Sequence, residues 1–426
     1  MTYRSFITAL IAAGFYGAGE GFDWPILRQL GVAVMVVFAL AYLWSRWNIS
    51  GLSARRDLDA SALQVGGVLA EQLAVRSKSF LPKPWIEVRD RCAMPAHDAS
   101  RVISIGSRAT VHWETQSVAV KRGVFRMGPV FLRTSDPFAI FTHTRRVDFD
   151  DEVTVFPPVF DLKNVQLPGA QSSGGPHIER RTPFTTAAVS SIRDYAAGDP
   201  FNRISWTSSA RTGRLMVKEF DLDPTAEVWV LADFSATQAV RPLPETERSR
   251  NPGLTFAEAW LDSSEDFVAA LAASISRKAV DANRALGFIS NASNRDFRAA
   301  ESSERQYLRV LSALAVATSD GSEPIDSLLN REMRRFDRYR SPVVVTASTD
   351  IDWVETLEHA TFRGVRPTVI YVDPQSFDPA RNSVAVRDRL AVAPFEVHIL
   401  DYRIGIEASF DELAGAATTR SWFDVN

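Results

Sequence analysis

Hydrophobic and polar positions fall into three regimes along the chain. The first is a pair of apolar runs at the start. Ser5 to Gly19 carries no charge, and neither does Gln29 to Ser45, which includes "GVAVMVVFALAYLW". A membrane-spanning helix needs about 20 mostly apolar residues. The second run reaches that length if Arg28 and Arg46 snorkel at its ends. Trp44 and Trp47 would then sit at an interface that favours amphipathic rings. Ile26 to Trp47 is therefore expected to be a membrane helix. The shorter first run reads either as a signal peptide, with Arg4 at its start and a small-residue cleavage site at 17 to 19, or as the first span of a hairpin. The span that follows at once favours the hairpin.

The second regime, residues 51 to 165, reads as β. "VLAEQLAVRSKSF", "RVISI", "TVHWE" and "VFRMGPVFLRT" have strand composition with turn residues between them. A small antiparallel sandwich is expected. "SDPFAIFTHTRRV" ends the block, with Asp136-Pro137 as a turn and Phe138, Ile140 and Phe141 as a packed anchor. Residues 166 to 190 are rich in Gly, Ser and Pro and read as a linker or mobile loop.

The third regime, residues 226 to 426, alternates short apolar runs with helical periods. "EVWVLADFS", "RALGFIS", "PVVVTAS", "PTVIYVDP" and "FEVHILDY" suit strands buried on both faces. Between them Phe267, Val268, Leu271, Ile275 and Ala279 recur at helical spacing, as do Val354, Leu357 and Ala360. Strand alternating with helix predicts a parallel α/β sheet. Residues 238 to 263 are a long insertion after its first strand. The expected fold class is thus α+β multidomain: two transmembrane helices in 1 to 50, a β-sandwich, and a C-terminal Rossmann-like α/β domain.

Composition and charge narrow the function. The chain has 426 residues, 46% hydrophobic and 23% charged, with a net charge of −3. That balance argues against a dedicated nucleic-acid binder, which would carry a basic field. Cys92 is the only cysteine, so no intrachain disulfide forms and cysteine-based zinc sites are excluded. Glu20 and Asp23 lie between the two apolar runs, while Arg4, Arg46, Arg55 and Arg56 flank them. The positive-inside bias puts both ends and the whole soluble part on the cytoplasmic side of the membrane.

In an open α/β sheet, ligands bind beyond the carboxyl ends of the strands. There "ADFSAT" places Asp233, Ser235 and Thr237 on one loop. These hard oxygen ligands suit Mg²⁺ or Mn²⁺. The alternative is that Asp233 caps the following turn and the hydroxyls bond the local backbone. The strand "PVVVTAS" supplies no acid at its end, and Asp350 and Asp352 arrive late, so a metal-free site stays open. No G-x-x-x-x-G-K-[ST], H-E-x-x-H or G-x-S-x-G motif is present, and the histidines are scattered. The expectation is a protein that is not an enzyme.

One stretch fits neither a helical nor a strand period: "IRDYAAGDPFNRISWTSSARTGRLMVKEF", residues 192 to 220. Arg203 or Arg211 could form a forked pair with Asp199 or Glu219. Gly198 would allow the tight turn, and Trp206 would be the packed anchor beneath. On this reading residues 191 to 225 are an electrostatic junction, or else a docking face with arginine hot spots.

This stretch resembles the hallmark of the domain of unknown function 58 family. The correspondence falls on Arg193, Tyr195, Gly198, Asp199, Arg203, Ile204, Trp206, Ala210, Arg211, Lys218 and Glu219. The "DPF" element of the β block is similar to the family's as well, with Ala139 where a glycine is common. The resemblance implies two N-terminal membrane helices and a C-terminal domain like von Willebrand factor type A, whose metal site begins as "DFSAT" does. It also implies a MoxR-type AAA+ ATPase as partner, acting on a client protein in maturation or remodelling, with no established reaction. Membrane-anchored adaptor is therefore the leading expectation. A membrane-tethered hydrolase using Asp199, Ser208, Ser209 and Arg211, or a structural envelope component, are the alternatives.

Overall fold

A computed structural model of the chain describes residues 3–167, 189–195, 204–220, 227–242, 255–293 and 295–410. Residues 168–188 of the expected linker and 243–254 of the long insertion lie outside the described residues. Two compact units form. The first comprises Met1–Pro158, Thr255–Leu261 and Leu314–Val316; the second comprises the remainder.

The first unit opens with two helices, α1 (Tyr3–Gly21) and α2 (Pro25–Ile49). They pair as a hairpin, and the chain turns between them through Asp23, whose φ is 51°. Close approach requires glycine at Gly31, where a Cβ would meet the Tyr16 backbone nitrogen at 2.7 Å. Small residues at such crossings let helix backbones touch. Of the two, only α2 is long and apolar enough to cross a membrane. The 19 residues of α1 include Arg4 and Glu20, which interrupt its apolar character.

The β part of this unit contains β1 (Leu52–Leu58), β2 (Ala62–Gln64), β3 (Val68–Ser77), β4 (Lys83–Asp90), β5 (Arg101–Ile105), β6 (Thr110–Val118), β7 (Gly123–Arg126), β8 (Val130–Ser135), β9 (Thr142–Val147) and β10 (Glu152–Phe156). They form three small sheets, β1-β3-β6, β2-β10-β7 and β5-β4-β8-β9. Pairing is antiparallel except between β10 and β2. The run "VFRMGPVFLRT" is not one strand. Gly128, at φ 127°, breaks it into β7 and β8, which join different sheets. Alternation is clear along β3, where Leu69, Leu73 and Val75 point inward and are wholly buried.

Glu71 shares that inward register and is buried too. A buried carboxylate demands partners. Arg56 of β1 supplies one: its Nε lies 3.3 Å from Glu71 Oε2 and its Nη2 lies 2.7 Å from Asp90 Oδ2. His97 supplies the other, with Nε2 at 3.3 Å from Glu71 and 3.1 Å from Asp90, while Nδ1 meets Ser117 Oγ at 3.0 Å. Burial alone would lower the His97 pKa. Its hydrogen bonds to Asp90 and Glu71 outweigh burial and raise it to about 9. With His97 protonated, two cations face two carboxylates and the cluster is neutral. Glu71, Asp90 and His97 are grouped closely enough to hold a metal ion, but the Arg56 guanidinium already takes the cation's place beside both carboxylates.

The second unit contains a two-stranded antiparallel pair, β11 (Val189–Asp194) and β12 (Met216–Phe220), with the short helix α3 (Trp206–Thr212) between them. A six-stranded sheet follows, built from β13 (Glu227–Ala232), β14 (Leu286–Ser290), β15 (Asp296–Glu301), β16 (Arg340–Thr346), β17 (Thr368–Val372) and β18 (Glu396–Leu400). Its helices are α4 (Ser264–Asp281), α5 (Glu304–Val316), α6 (Ile325–Glu332), α7 (Asp352–Phe362) and α8 (Val384–Ala391). The strand order is β15-β14-β13-β16-β17-β18. Counted within the unit this is 3-2-1-4-5-6, a doubly wound order. All pairs are parallel except β14 with β15. The edge strand β15 was invisible to the search for apolar runs because its sequence, "DFRAAE", alternates half-buried and exposed residues. Ser263 starts α4 by accepting from Asp266 N–H at 3.2 Å and donating to its carboxylate at 2.7 Å, a reciprocal cap.

The raised His97 pKa makes stability depend on pH. A histidine whose folded pKa exceeds its unfolded value near 6.5 stabilises fully below 6.5, and that contribution fades as pH rises toward 9. Lys83 acts oppositely, since burial lowers its pKa to about 8, so its effect begins only above pH 8. Between pH 6.5 and 8 the first unit should lose stability on the order of 1–2 kcal/mol, measured as a falling Tm. His97→Gln should flatten that slope.

Candidate functional site

The strand order reverses between β13 and β16, and this switch point is where open α/β sheets present ligand sites. Asp233 follows β13 directly and is fully buried. Its Oδ1 accepts from Asn291 Nδ2 at 2.8 Å and from Ser235 N–H at 3.0 Å. Its Oδ2 accepts from the Thr346 hydroxyl at 2.6 Å. Thr346 ends β16 and Asn291 follows β14, so three adjacent strand ends converge on one carboxylate.

The knot extends further. Asn291 Oδ1 accepts from Phe234 N–H at 2.6 Å, and its amide also donates to the Glu323 carbonyl at 2.8 Å. Gln238 donates to the Asp233 carbonyl oxygen and accepts from Ala347 N–H at 2.9 Å. Gly321 is required here, because a Cβ would collide with the Asn291 carbonyl. Burial pushes the Asp233 carboxyl pKa up, against the hydrogen bonds from Thr346, Asn291 and Ser235 that pull it down.

Of the expected metal ligands, Ser235 is buried and Thr237 exposed, with their hydroxyls 3.4 Å apart. Asp350 and Asp352 are both exposed at the start of α7. Among the described residues, Asp233 belongs to no group of three acids, histidines or cysteines at metal-ligand spacing. Both oxygens of its carboxylate already accept from protein donors. In this arrangement the residues do not fit a divalent cation; one donor is local, Ser235 N–H, and two come from other strand ends, Asn291 and Thr346. Sequence reasoning missed Asn291, Thr346 and Gln238. The available signal was an uncharged polar residue closing each apolar strand.

The hallmark stretch differs from its expected form. Gly198, Asp199 and Arg203 lie outside the described residues. Arg193 falls on β11 opposite Val217, and Lys218 and Glu219 fall on β12. Tyr195 N–H donates to the Leu215 carbonyl at 2.8 Å. Trp206 is not a buried anchor: it is 66% exposed, at the first turn of α3. The anchors are Ile204 and Val217, which bridge between strands and are buried. They carry the packing because α3 touches its surroundings through Ser205 and Ser209, whose hydroxyls bond Ser208 at 3.1 Å and Met216 N–H at 2.8 Å. Arg211 and Arg214 are exposed, and among the described residues neither has a carboxylate within ion-pair distance. The buried indole is therefore corrected to an exposed one; the charge pairs expected above it involve Asp199, Arg203 and the Glu219 side chain, which lie outside the described residues.

These two features, the knot and the strand–helix–strand hallmark, fall within one stretch that is recognisable elsewhere. Residues 191–389 match the family described as "Protein of unknown function DUF58". A DUF58 match over that interval runs from β11 into α8. The "Uncharacterized protein YeaD" of Bacillus subtilis (strain 168) is 22% identical over 371 residues, 84% of this chain and 85% of that protein. Among solved structures, the CARDB domain of the PF1109 protein from Pyrococcus furiosus aligns with 24% of this chain and 91% of its own, at 12% identity and a TM-score of 0.18. A beta-glucosidase from Listeria innocua aligns with 24% of this chain and 16% of its own, at 12% identity and a TM-score of 0.16. Likenesses that slight bear on neither fold nor function.

Two outcomes test the knot. Asp233→Ala should cost about 2–4 kcal/mol, because it strands the buried Asn291 and Thr346 donors. Millimolar Mg²⁺ against EDTA should leave the Tm of the wild-type protein unchanged; a metal-dependent rise would contradict the hydrogen-bonded reading.

Proposed function

We propose that this chain is a membrane-anchored adaptor, which binds partner proteins and acts with a MoxR-type AAA+ ATPase in the maturation or remodelling of a client. The observation that carries this reading is the exposed Trp206 on a helix that also displays Arg211. Tryptophan and arginine dominate the energetics of protein interfaces, and among the described residues this indole is largely open to solvent. The DUF58 match over residues 191–389 spans Trp206 and Arg211.

The anchor is α2. Ile26, Leu30, Val36, Leu40, Leu43 and Trp44 are all exposed on it, a density of apolar surface that water does not favour. In the bilayer reading α1 completes a hairpin, and the exposed Arg46 and Arg55 keep the soluble units on the cytoplasmic side of a bacterial inner or plasma membrane, Arg56 being buried in its ion-paired cluster. The second unit is read as von Willebrand factor type A-like. Its 3-2-1-4-5-6 order and the Asp-x-Ser-x-Thr loop at the switch point support that reading. The hydrolase alternative loses ground at Ser209, whose hydroxyl is engaged by Met216 N–H.

The test is co-purification of the full chain with its MoxR-type ATPase from detergent extract. Trp206→Ala with Arg211→Ala should weaken the association at least about tenfold, as expected for two hot-spot side chains, while leaving Tm unchanged because both are exposed. Undiminished association in the double variant would overturn the docking face.

A further inference from the structure

The last turns of α2 are covered by the β part of their own unit, and the way they are covered has a consequence for depth. Ala41, Ser45, Asn48 and Ile49 are buried. Asn48 donates to Thr134 Oγ1 at 2.5 Å, and Ser45 donates to the Tyr42 carbonyl at 2.9 Å. On the opposite side Leu40, Leu43 and Trp44 are exposed. The helix thus turns polar groups toward protein and apolar groups outward, the reverse of a helix in water.

Coverage reaches far up the helix. The Phe141 ring lies 4.8 Å from that of Phe38 and 5.3 Å from that of Tyr42, both edge-on. Phe38 stands eight residues before Arg46, roughly 12 Å along the axis at 1.5 Å per residue. Suppose everything from Phe38 onward lay outside the bilayer. Then only Arg28 to Val37 would remain, about 15 Å of helix for a hydrocarbon core of about 30 Å. The two conditions are compatible only if the loop that bears Phe141 lies at membrane level.

That loop is built to hold a shape. The Asp136 carboxylate accepts from Phe138 N–H at 2.9 Å and from Phe141 N–H at 2.6 Å. Ala139 sits in the left-handed region at φ 54°, a conformation glycine adopts without cost and other residues rarely take. The result directs Phe141 onto α2 and leaves Phe138 64% exposed at the tip.

We propose that the Asp136–Phe141 loop is seated in the membrane interface beside α2, with Phe138 inserted among the lipid acyl chains. The proposal rests on the reading of α2 as a membrane span. It makes the first unit a body that is partly sunk in the bilayer surface and held there by a loop as well as by its helix. Aromatic side chains are favoured at that depth.

The test uses the full chain with Cys92→Ser, labelled with an environment-sensitive fluorophore at single introduced cysteines. Phe138→Cys reports the loop, Pro137→Cys gives a second reading of the same tip, Val36→Cys reports the span, and Arg101→Cys, exposed on β5, serves as the aqueous control. The protein is reconstituted in phosphatidylcholine–phosphatidylglycerol vesicles that carry nitroxide lipids at shallow or deep positions. The expected result is a severalfold loss of fluorescence at 138 and 137 with the shallow nitroxide, at 36 with the deep one, and none at 101. Quenching at 36 without quenching at 137 or 138 overturns the inserted loop and leaves the span intact. A blue-shifted label at 138 that lipid nitroxides do not quench means protein covers the tip, and overturns it too. No quenching at 36 refutes the span, and with it the proposal.

Discussion

A buried ammonium holds the first unit together. Lys83 opens β4 and is inaccessible to solvent, yet its Nζ donates to the carbonyls of Trp47 at 3.0 Å and Asn48 at 2.7 Å. Those are among the last carbonyls of α2, at the negative end of its dipole; the Trp47 carbonyl also accepts from the Ser50 N–H at 3.0 Å. The Trp47 ring lies 4.9 Å from the same nitrogen and adds its π-face. Burial lowers the Lys83 pKa to about 8, a sign that the site strains to keep the charge while the helix end rewards it. Because β4 lies inside its sheet, between β5 and β8, the helix is fixed to the middle of a sheet and not to a loose edge. Thr134 of β8, which accepts from Asn48 and donates to the Trp85 carbonyl at 3.0 Å, sets the rotation of α2 about its axis. Once that rotation is fixed, Phe141 meets Phe38 and Leu43 faces outward.

Each unit buries a carboxylate network among apolar neighbours. In the first, Arg56, His97, Glu71 and Asp90 balance charge against charge. In the second, Asp233 is met only by neutral donors from Asn291, Ser235 and Thr346. Such networks contribute little net stability but strongly penalise any arrangement that leaves a member unpaired. They fix which strands are neighbours. The knot around Asp233 joins the ends of β13, β14 and β16, so the order of the central sheet and the geometry of its switch point are specified together.

Much of this was legible in the sequence, and the failures have physical reasons. Continuous apolar runs such as "EVWVLA" and "TVIYV" announce strands covered on both faces, and four of the five became central strands, with β18 at the edge. The edge strand β15 lacks that signature because only one of its faces packs. Glu71 and Arg56 look like surface charges until the inward register of β3 is known. Lys83 gives no hint in sequence, since its role depends on a helix end that arrives from 35 residues earlier. Trp206 misled for the opposite reason. Aromatic residues usually pack, and the neighbouring Ile204 already filled the position that the indole was expected to take. The Asp233 loop was found by its motif, but its chemistry was decided by Asn291 and Thr346, which no local pattern connects to it.

The joint at Lys83 is open to direct measurement by hydrogen exchange on the full chain in lipid nanodiscs, comparing wild type with Lys83→Ala. The account predicts that the amides of residues 45–50 are as protected as those of β3 in the wild type, and exchange much faster in the variant, while the β13–β16 core is unchanged. Equal exchange of residues 45–50 in the two proteins would contradict it.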